Sequence, residues 1–195
     1  MLKLFHAPTS RSSRIIWLLE ELGEPYEIQY VTIRRGDGTG APDPANPHPQ
    51  GKAPALLHDD RLVTESAAIC AYLTDVFPAA GLGPQADDPR RVDYLTWLFY
   101  YAAEVEPALI GKFTGRVDND ERERRAYEQM VQRFESALTE RPYMLGDRFS
   151  AADVLYGSVV QWGAGMLPER AAFKSYLDRL SARPAFQRAQ AKDAA

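Results

Sequence analysis

Apolar and polar residues alternate with a short period in the first third of this chain and with a helical period in the rest. Leu2-Lys3-Leu4-Phe5-His6 reads as a short strand that Ala7-Pro8 breaks. Ile15, Ile16, Leu18, Leu19 and Leu22 then recur at helical spacing, with Gly23 as a stop and Pro25 just beyond. The stretch 26–33, YEIQYVTI, alternates again and predicts a second strand. Strand, helix, strand implies a parallel pair joined by a right-handed crossover. Ala55-Leu56-Leu57, entered by Pro54, and Arg61-Leu62-Val63 flank Asp59-Asp60 and predict a hairpin. Thr64-Glu65-Ser66 opens a helix running to about Phe77, with Thr64 and Ser66 as candidate caps and Glu65 suited to the positive end of the dipole.

Residues 78–84 form a Gly/Pro linker, and strand signals stop there. The segment 88–114 carries a long, mostly helical apolar pattern that Pro107 is expected to kink. In 119–140 Tyr127, Val131, Phe134 and Leu138 recur at three and four on a helix whose mixed charges read as a solvated face. Ser150 and Asp153 form a capping-box signature before Val154, Leu155, Val159 and Val160, which predicts a central helix. Two further helices are expected at about 168–182 and 184–191. The pattern therefore gives an α/β unit over 1–80 and an all-α unit over 85–195.

Composition narrows the partners more than the fold. With 45% apolar and 26% charged residues the chain is an ordinary globular sequence. A formal net charge of -4 gives no long-range attraction to nucleic acid or an anionic membrane. No apolar run reaches the roughly 20 residues of a membrane span, and the N-terminus shows no secretory signal pattern, so a cytoplasmic protein is expected. The single cysteine, Cys70, lies on a helical apolar pattern and reads as a small buried residue. His6, His48 and His58 have no metal-ligand spacing. The loop 34–49 is rich in Gly and Pro, irregular, and long for a compact domain, which points to a function or to ordering by a ligand.

Three motifs carry a resemblance. Asn46-Pro47 followed by Gln50-Gly51-Lys52-Ala53-Pro54-Ala55-Leu56, then Thr64-Glu65-Ser66-Ala67-Ala68-Ile69, then Met144-Leu145-Gly146-Asp147 with Phe149-Ser150-Ala151-Ala152-Asp153 occur in the order found in cytosolic glutathione transferases. The chain resembles that family, in its serine-type branch, over essentially its whole length. It departs at Ala53, where a larger β-branched residue is common, and in the longer 34–49 loop. The resemblance implies a thioredoxin-like first domain followed by a helical domain. It implies glutathione as co-substrate, with no cofactor and no metal, and a homodimer.

The resemblance also assigns roles. The Ala53–Pro54 bond is expected to be cis, freeing the Ala53 backbone to pair with the cysteinyl residue of glutathione, a one-residue form of strand addition. Glu65 suits the ligand ammonium, and Ser66, at a helix start, suits the γ-glutamyl carboxylate. Lys52 and Gln50 suit the glycine carboxylate. The first tyrosine is Tyr26, in the second strand, which excludes the tyrosine-type branch. Ser10 is the expected catalytic hydroxyl, because serine-type members place theirs four residues before a position matching Arg14. Thr9 and Ser12 are its rivals, Arg11 adds positive charge, and the plain alternative for these hydroxyls is helix capping. A small hydrophobic electrophile, or a peroxide, would meet the helical domain at Tyr100, Tyr101, Glu104, Phe113 and Trp162, with Phe99 beside them. The competing functional class is a binding or scaffold protein that keeps the fold without the chemistry.

Overall fold

The computed structural model describes residues 1–193. Its strands and helices run β1 (Leu2–His6), α1 (Ser13–Leu22), β2 (Tyr26–Tyr30), β3 (Ala55–His58), β4 (Arg61–Thr64) and α2 (Ser66–Val76). A short 3-10 turn, Pro78–Ala80, is followed by α3 (Arg91–Tyr100), a π-helical turn (Tyr101–Val105) and α4 (Glu106–Phe113). Then come α5 (Arg116–Asn119), α6 (Glu121–Glu140), α7 (Ala151–Trp162), α8 (Ala171–Ser181) and α9 (Pro184–Asp193). The fold is thus an α/β unit plus a helical one, as the pattern implied, and the first is thioredoxin-like, as the resemblance implied. No helix among the described residues is long and apolar enough to cross a membrane.

The sheet order is β2-β1-β3-β4. β1 pairs parallel with β2 and antiparallel with β3, and β3 and β4 form the hairpin. The second strand ends at Tyr30 instead of Ile33. It is an edge strand whose sole neighbour is β1, and β1 stops at His6 before Ala7-Pro8. One further bond, from Val31 N–H to the His6 carbonyl, ends the pairing. The loop that follows lacks helix or strand, as expected, yet it is tied down: Asp37 accepts from the Thr39 N–H and hydroxyl, and Asp43 accepts from Thr32 N–H. Gly40 is required there, since its φ is +72° and a Cβ would collide with the Ile33 carbonyl oxygen.

Contacts group Met1–Ala80 with the stretch that begins at Arg183, and Gly81–Ala182 separately. The sequence reading had assigned everything from 85 to 195 to the helical domain; its last two residues lie outside the described ones. The difference is α9, which packs on α1. Trp17 and Phe186 meet edge to face at 4.9 Å, and Arg183 grips Glu21 through two hydrogen bonds of 2.6 and 2.8 Å. Glu20 accepts from Tyr26 and Arg188 at 2.6 Å each and from Lys192. Burial would raise its carboxyl, but hydrogen bonds from Lys192, Tyr26 and Arg188 win and hold it at about 2.

In the helical unit, the expected kink at Pro107 is the π-helical turn just before it. Glu106 N–H bonds back to the Tyr101 carbonyl, and the widened turn makes room for the proline ring against the preceding carbonyls. The predicted capping box closes at Ser150 and Asp153. Asp153 is fully buried and collects far more than a cap: Met144 N–H, Ser150 N–H and the Tyr176 hydroxyl at 2.8 Å each, and the Ser150 hydroxyl at 3.0 Å. It therefore ties the 143–146 turn and α8 to the start of α7. Burial nevertheless outweighs these donors and pushes its carboxyl up to about 6. α6 has a cap the pattern had not singled out, Asp120, which accepts from Arg122 N–H and Glu123 N–H at 2.8 and 3.1 Å.

The two carboxylates predict opposite pH responses. Glu20 stays ionised in the folded state to lower pH than in the unfolded chain, so its contribution is present above about pH 4.5 and is lost as pH falls toward 2. In urea unfolding, the stability lost in Glu20→Gln relative to wild type shrinks over that range. Asp153 takes up its proton earlier when folded, so its contribution grows as pH falls from about 6 toward its ordinary 3.8. Asp153→Asn should cost about 1–3 kcal/mol through unsatisfied buried donors. Its deficit against wild type should be larger at pH 5 than at pH 7, and equal deficits at the two would contradict the assignment.

Candidate functional site

Strand register assembles the site. Phe5 of β1 sits opposite Ala55 of β3, and Ala55 sits opposite Thr64 of β4. Because both pairings are antiparallel, the segment leaving β1, the Ala53–Pro54 bond entering β3 and the Glu65-Ser66 pair leaving β4 all lie at one end of the sheet. Phe5, Val31 and Ala55, with Leu57 against them, form the small apolar cluster beneath.

The segment leaving β1 holds the candidate hydroxyls. Thr9 is exposed, has φ +52°, and donates its hydroxyl to the Pro8 carbonyl at 2.7 Å. Arg35, from the long loop, donates to the Pro8 carbonyl at 2.8 Å and to the Thr9 carbonyl at 3.3 Å. Ser12 is fully buried: its Oγ lies 2.8 Å from His6 Nδ1, accepts from Ala7 N–H at 3.1 Å, and is 3.2 Å from the Ala7 carbonyl. Ser10 is half-buried, with its Oγ 2.8 Å from that of Ser12 and accepting from Ser12 N–H at 3.2 Å. Ser12 is the residue preceding α1, yet no side chain caps that helix by a hydrogen bond from its own N-cap residue. The carboxylate at the helix start is Asp193 of α9, which accepts from the Ser13 hydroxyl at 2.5 Å and from Thr9 N–H at 3.4 Å. Arg11 is exposed.

The Ala53–Pro54 bond is cis. Pro54 is buried and Ala53 half-buried, and among the described residues neither the N–H nor the C=O of Ala53 has a hydrogen-bond partner. Lys52 and Gln50 are exposed. Asn46 and His48, which the sequence reading gave no such task, shape this segment. Asn46 donates to the Lys52 carbonyl at 2.9 Å and accepts from His48 N–H at 3.1 Å, while Gln50 N–H donates to His48 Nδ1 at 3.0 Å. Burial lowers the His48 pKa, with Glu65 opposing and Lys52 reinforcing, so the ring lies within electrostatic reach of both. The Asn46-Pro47 motif was the available signal for this role, since a side-chain amide two residues before a backbone N–H favours a turn.

Thr64 and Ser66 do not cap α2. The chain passes from β4 to α2 through one residue, Glu65, at φ +67° and ψ +122°, and no side chain caps the helix. A junction this short leaves no room for a cap. Glu65 is exposed, Ser66 is buried, and among the described residues the N–H groups of Ser66, Ala67 and Ala68 have no partner. An uncapped helix start with free N–H groups favours an anion. A non-glycine residue held at positive φ beside it is the kind of strain that functional sites retain. Cys70, in the same helix, is buried, and burial pushes its thiol up to about 12, which leaves it inert.

The candidates in the helical unit do not form one wall. Tyr100 stacks under the Arg133 guanidinium at 4.0 Å, with Trp97 5.0 Å from the same group; burial raises the Tyr100 phenol, with Arg133 opposing and Glu104 reinforcing. Tyr101 is 1% exposed, sits edge-on to Tyr156 and donates to Glu106 at 2.9 Å. It belongs to the interhelical core, because the π-helical turn rotates it inward. Phe113 and Trp162 are exposed, at 77% and 40%, and no contact among the described residues links either to Tyr100. Arg133 was read as one more charge on a solvated helix face; its aromatic partners are visible only in three dimensions.

Known proteins match both halves of this description. The family model for the glutathione S-transferase N-terminal domain matches residues 10–76. Glutathione S-transferase GstA of Escherichia coli O157:H7 is 29% identical over 194 residues, covering 95% of this chain and 96% of its own length. Among solved structures, a glutathione S-transferase from Actinobacillus pleuropneumoniae aligns with a TM-score of 0.85 at 25% identity, over 100% of this chain and 93% of its own. A sphingomonad glutathione S-transferase complexed with glutathione aligns with a TM-score of 0.80 at 26% identity, over 98% of each chain. The fold, the segments gathered at one sheet end and these relatives agree: residues 10–76 match the glutathione S-transferase N-terminal domain, and the chain is similar to glutathione S-transferases over nearly its whole length.

Proposed function

We propose that the protein is a glutathione transferase that holds the tripeptide at the shared sheet end and activates its thiol with the Ser10 hydroxyl. The observation that carries the reading is the meeting of three groups there: a half-buried hydroxyl before α1, an unpaired Ala53 backbone beside a cis proline, and an uncapped helix start at Ser66. The Ala53 N–H and C=O pair with the cysteinyl backbone. Ser66 takes the γ-glutamyl carboxylate through its N–H and hydroxyl, and Glu65 takes the ammonium. Lys52 and Gln50 face the glycine carboxylate. The sphingomonad structure solved with glutathione, similar to this chain along its length, supports this ligand.

A free thiol with a pKa of about 8.5 is mostly protonated at neutral pH. A hydroxyl donating to sulfur, together with the start of α1, favours the thiolate, and the proton leaves to solvent. The thiolate then forms a carbon–sulfur bond as a leaving group departs with its electron pair, or attacks a peroxide oxygen, breaking the O–O bond so that an alcohol or water leaves; a second glutathione thiol then displaces water from the sulfenic acid to give the disulfide. Thr9 and Ser12 fit the role less well, since Thr9 donates to a neighbouring carbonyl and Ser12 is buried among His6 and Ala7. For the electrophile, Tyr100, Glu104, Phe113 and Trp162 of the helical unit are the candidate contacts.

Binding and chemistry separate by residue. Ser10→Ala should lower kcat about 10²-fold, in the range for removing one donor to a developing anion, and leave glutathione affinity within about twofold. Ser66→Ala and Glu65→Gln should weaken glutathione binding about tenfold or more, as expected for hydrogen bonds to charged groups. Steady-state kinetics with calorimetric titration of glutathione distinguishes the two, and full turnover in Ser10→Ala would move the role to another group. Exposed Val92 and Phe99 on α3 fit a two-fold dimer, which light scattering would detect at twice the monomer mass.

A further inference from the structure

Two residues near Ser10 break local rules, and they meet at one carboxylate oxygen. Thr9, just before Ser10, is held at φ +52°, in the left-handed region that a β-branched side chain opposes. Asp193 stands in the last turn of α9, where a carboxylate opposes the helix dipole. Neither choice helps the element it belongs to. Asp193 Oδ1 accepts from Thr9 N–H at 3.4 Å and from the Ser13 hydroxyl at 2.5 Å. It also lies 3.2 Å from His6 Nε2, where it draws the ring proton to that nitrogen. On the other side of Thr9, Arg35 of the 34–49 loop donates to the Pro8 carbonyl at 2.8 Å and to the Thr9 carbonyl at 3.3 Å. We propose that Asp193 and Arg35 are positioning residues: together they clamp the two peptide units that flank Thr9 and so set where the Ser10 hydroxyl stands.

The proposal rests on the reading of Ser10 as the activating group, and every bond in it has a direction fixed by chemistry. A backbone N–H and a guanidinium donate, whereas a carbonyl and an ionised carboxylate accept. The peptide unit between Pro8 and Thr9 is held at both ends, its C=O by Arg35 and its N–H by Asp193. The unit between Thr9 and Ser10 is held likewise. Its C=O accepts from Arg35, and its N–H, that of Ser10, donates to Ser13 Oγ at 3.3 Å. Ser13 gives its own proton to Asp193, which leaves its oxygen available to Ser10 N–H. The two peptide planes on either side of a residue define its dihedral angles. Both planes at Thr9 are therefore fixed by groups outside the segment, and Ser10 follows directly from the second.

Both arms of the clamp are anchored independently of the segment they hold. α9 is tied to α1 by Arg188 and Lys192 on Glu20, and its Lys192 carbonyl accepts from the Tyr30 hydroxyl of β2 at 3.0 Å. Arg35 is fixed within its own loop, where its N–H donates to the Thr39 carbonyl at 2.8 Å and its carbonyl accepts from Gly38 N–H at 3.0 Å. The long 34–49 loop thereby acquires a task that needs no contact with the ligand. Charge and geometry can be told apart at Asp193. A carboxylate beside the start of α1 disfavours a thiolate bound there, so its charge works against the chemistry while its hydrogen bonds work for it. The two effects predict opposite shifts of the bound thiol when Asp193 is removed.

The test combines steady-state kinetics with a pH titration of thiolate absorbance in the presence of glutathione. It is run on wild type, Ser10→Ala, Asp193→Ala, Asp193→Asn and Arg35→Ala, and on Asp193→Ala and Arg35→Ala each combined with Ser10→Ala. Asp193→Ala and Arg35→Ala should each lower kcat about tenfold and raise the bound thiol pKa toward its free value, with KM for glutathione within about twofold. Asp193→Asn, whose amide oxygen still accepts from Ser13 and Thr9, should keep most of the rate. In the Ser10→Ala background neither clamp change should lower kcat further, because both act through that hydroxyl. A bound thiol pKa that falls in Asp193→Ala, or losses that add in full to that of Ser10→Ala, would overturn the clamp and leave the Ser10 reading standing. Unchanged turnover in Ser10→Ala would overturn both. Arg35 lies on the loop and not in the α9 packing, so it decides the matter if Asp193→Ala does not fold: wild-type kcat in Arg35→Ala would refute the proposal.

Discussion

One row of backbone pairing, Phe5 beside Ala55 and Ala55 beside Thr64, is the constraint on which the rest of the first unit depends. It brings three segments far apart in sequence to one end of the sheet with no contribution from their own side chains. It also fixes which way those segments face. A slip of one residue in β3 would turn Ala55 and Leu57 away from the cluster they share with Phe5 and Val31, and would carry the cis bond off the end of the sheet. The small apolar cluster therefore specifies the register, and the register specifies the site.

Carboxylates hold each unit where apolar burial alone would leave polar groups unpaired. Asp153 gathers donors from a turn, a helix start and a second helix. Glu20 binds cations of α9 to α1, Glu21 binds Arg183 just before α9, and Asp193 meets the other end of α1. They share an architecture and differ in electrostatics. Glu20 has three charged or phenolic donors that overcome its burial. Asp153 is deeper, its donors are all neutral, and desolvation wins. The first kind stabilises the folded state most where it is ionised, and the second kind gives specificity of arrangement at some cost in charge burial.

Much of the fold was legible because its signals are local. Helical spacing over 15–22, a Gly stop at 23, two short apolar runs about Asp59-Asp60 and a Ser150/Asp153 box each involve residues within one or two turns of each other. The misreadings share a cause. The second strand ran on to Ile33 in the pattern, but an edge strand is only as long as its neighbour. Thr64 and Ser66 carry good capping chemistry, but a one-residue junction gives them no geometry to use it. Tyr101 has the composition of a binding-site residue, but a π-helical turn sends it into the core.

The sequence by itself determined the element types, the order of the two units, and the motif residues at which a glutathione ligand would be sought, because each depends on spacing along the chain. Only the tertiary structure decided how the candidate hydroxyls differ. Thr9, Ser10, Ser12 and Ser13 are near-equivalents in a polar loop until folding buries one against His6, hands another to Asp193 from the far end of the chain, and leaves Ser10 half-buried with its Oγ 2.8 Å from that of Ser12. These contacts join positions 6, 12, 13 and 193, and a network whose members stand that far apart has no signature in local pattern.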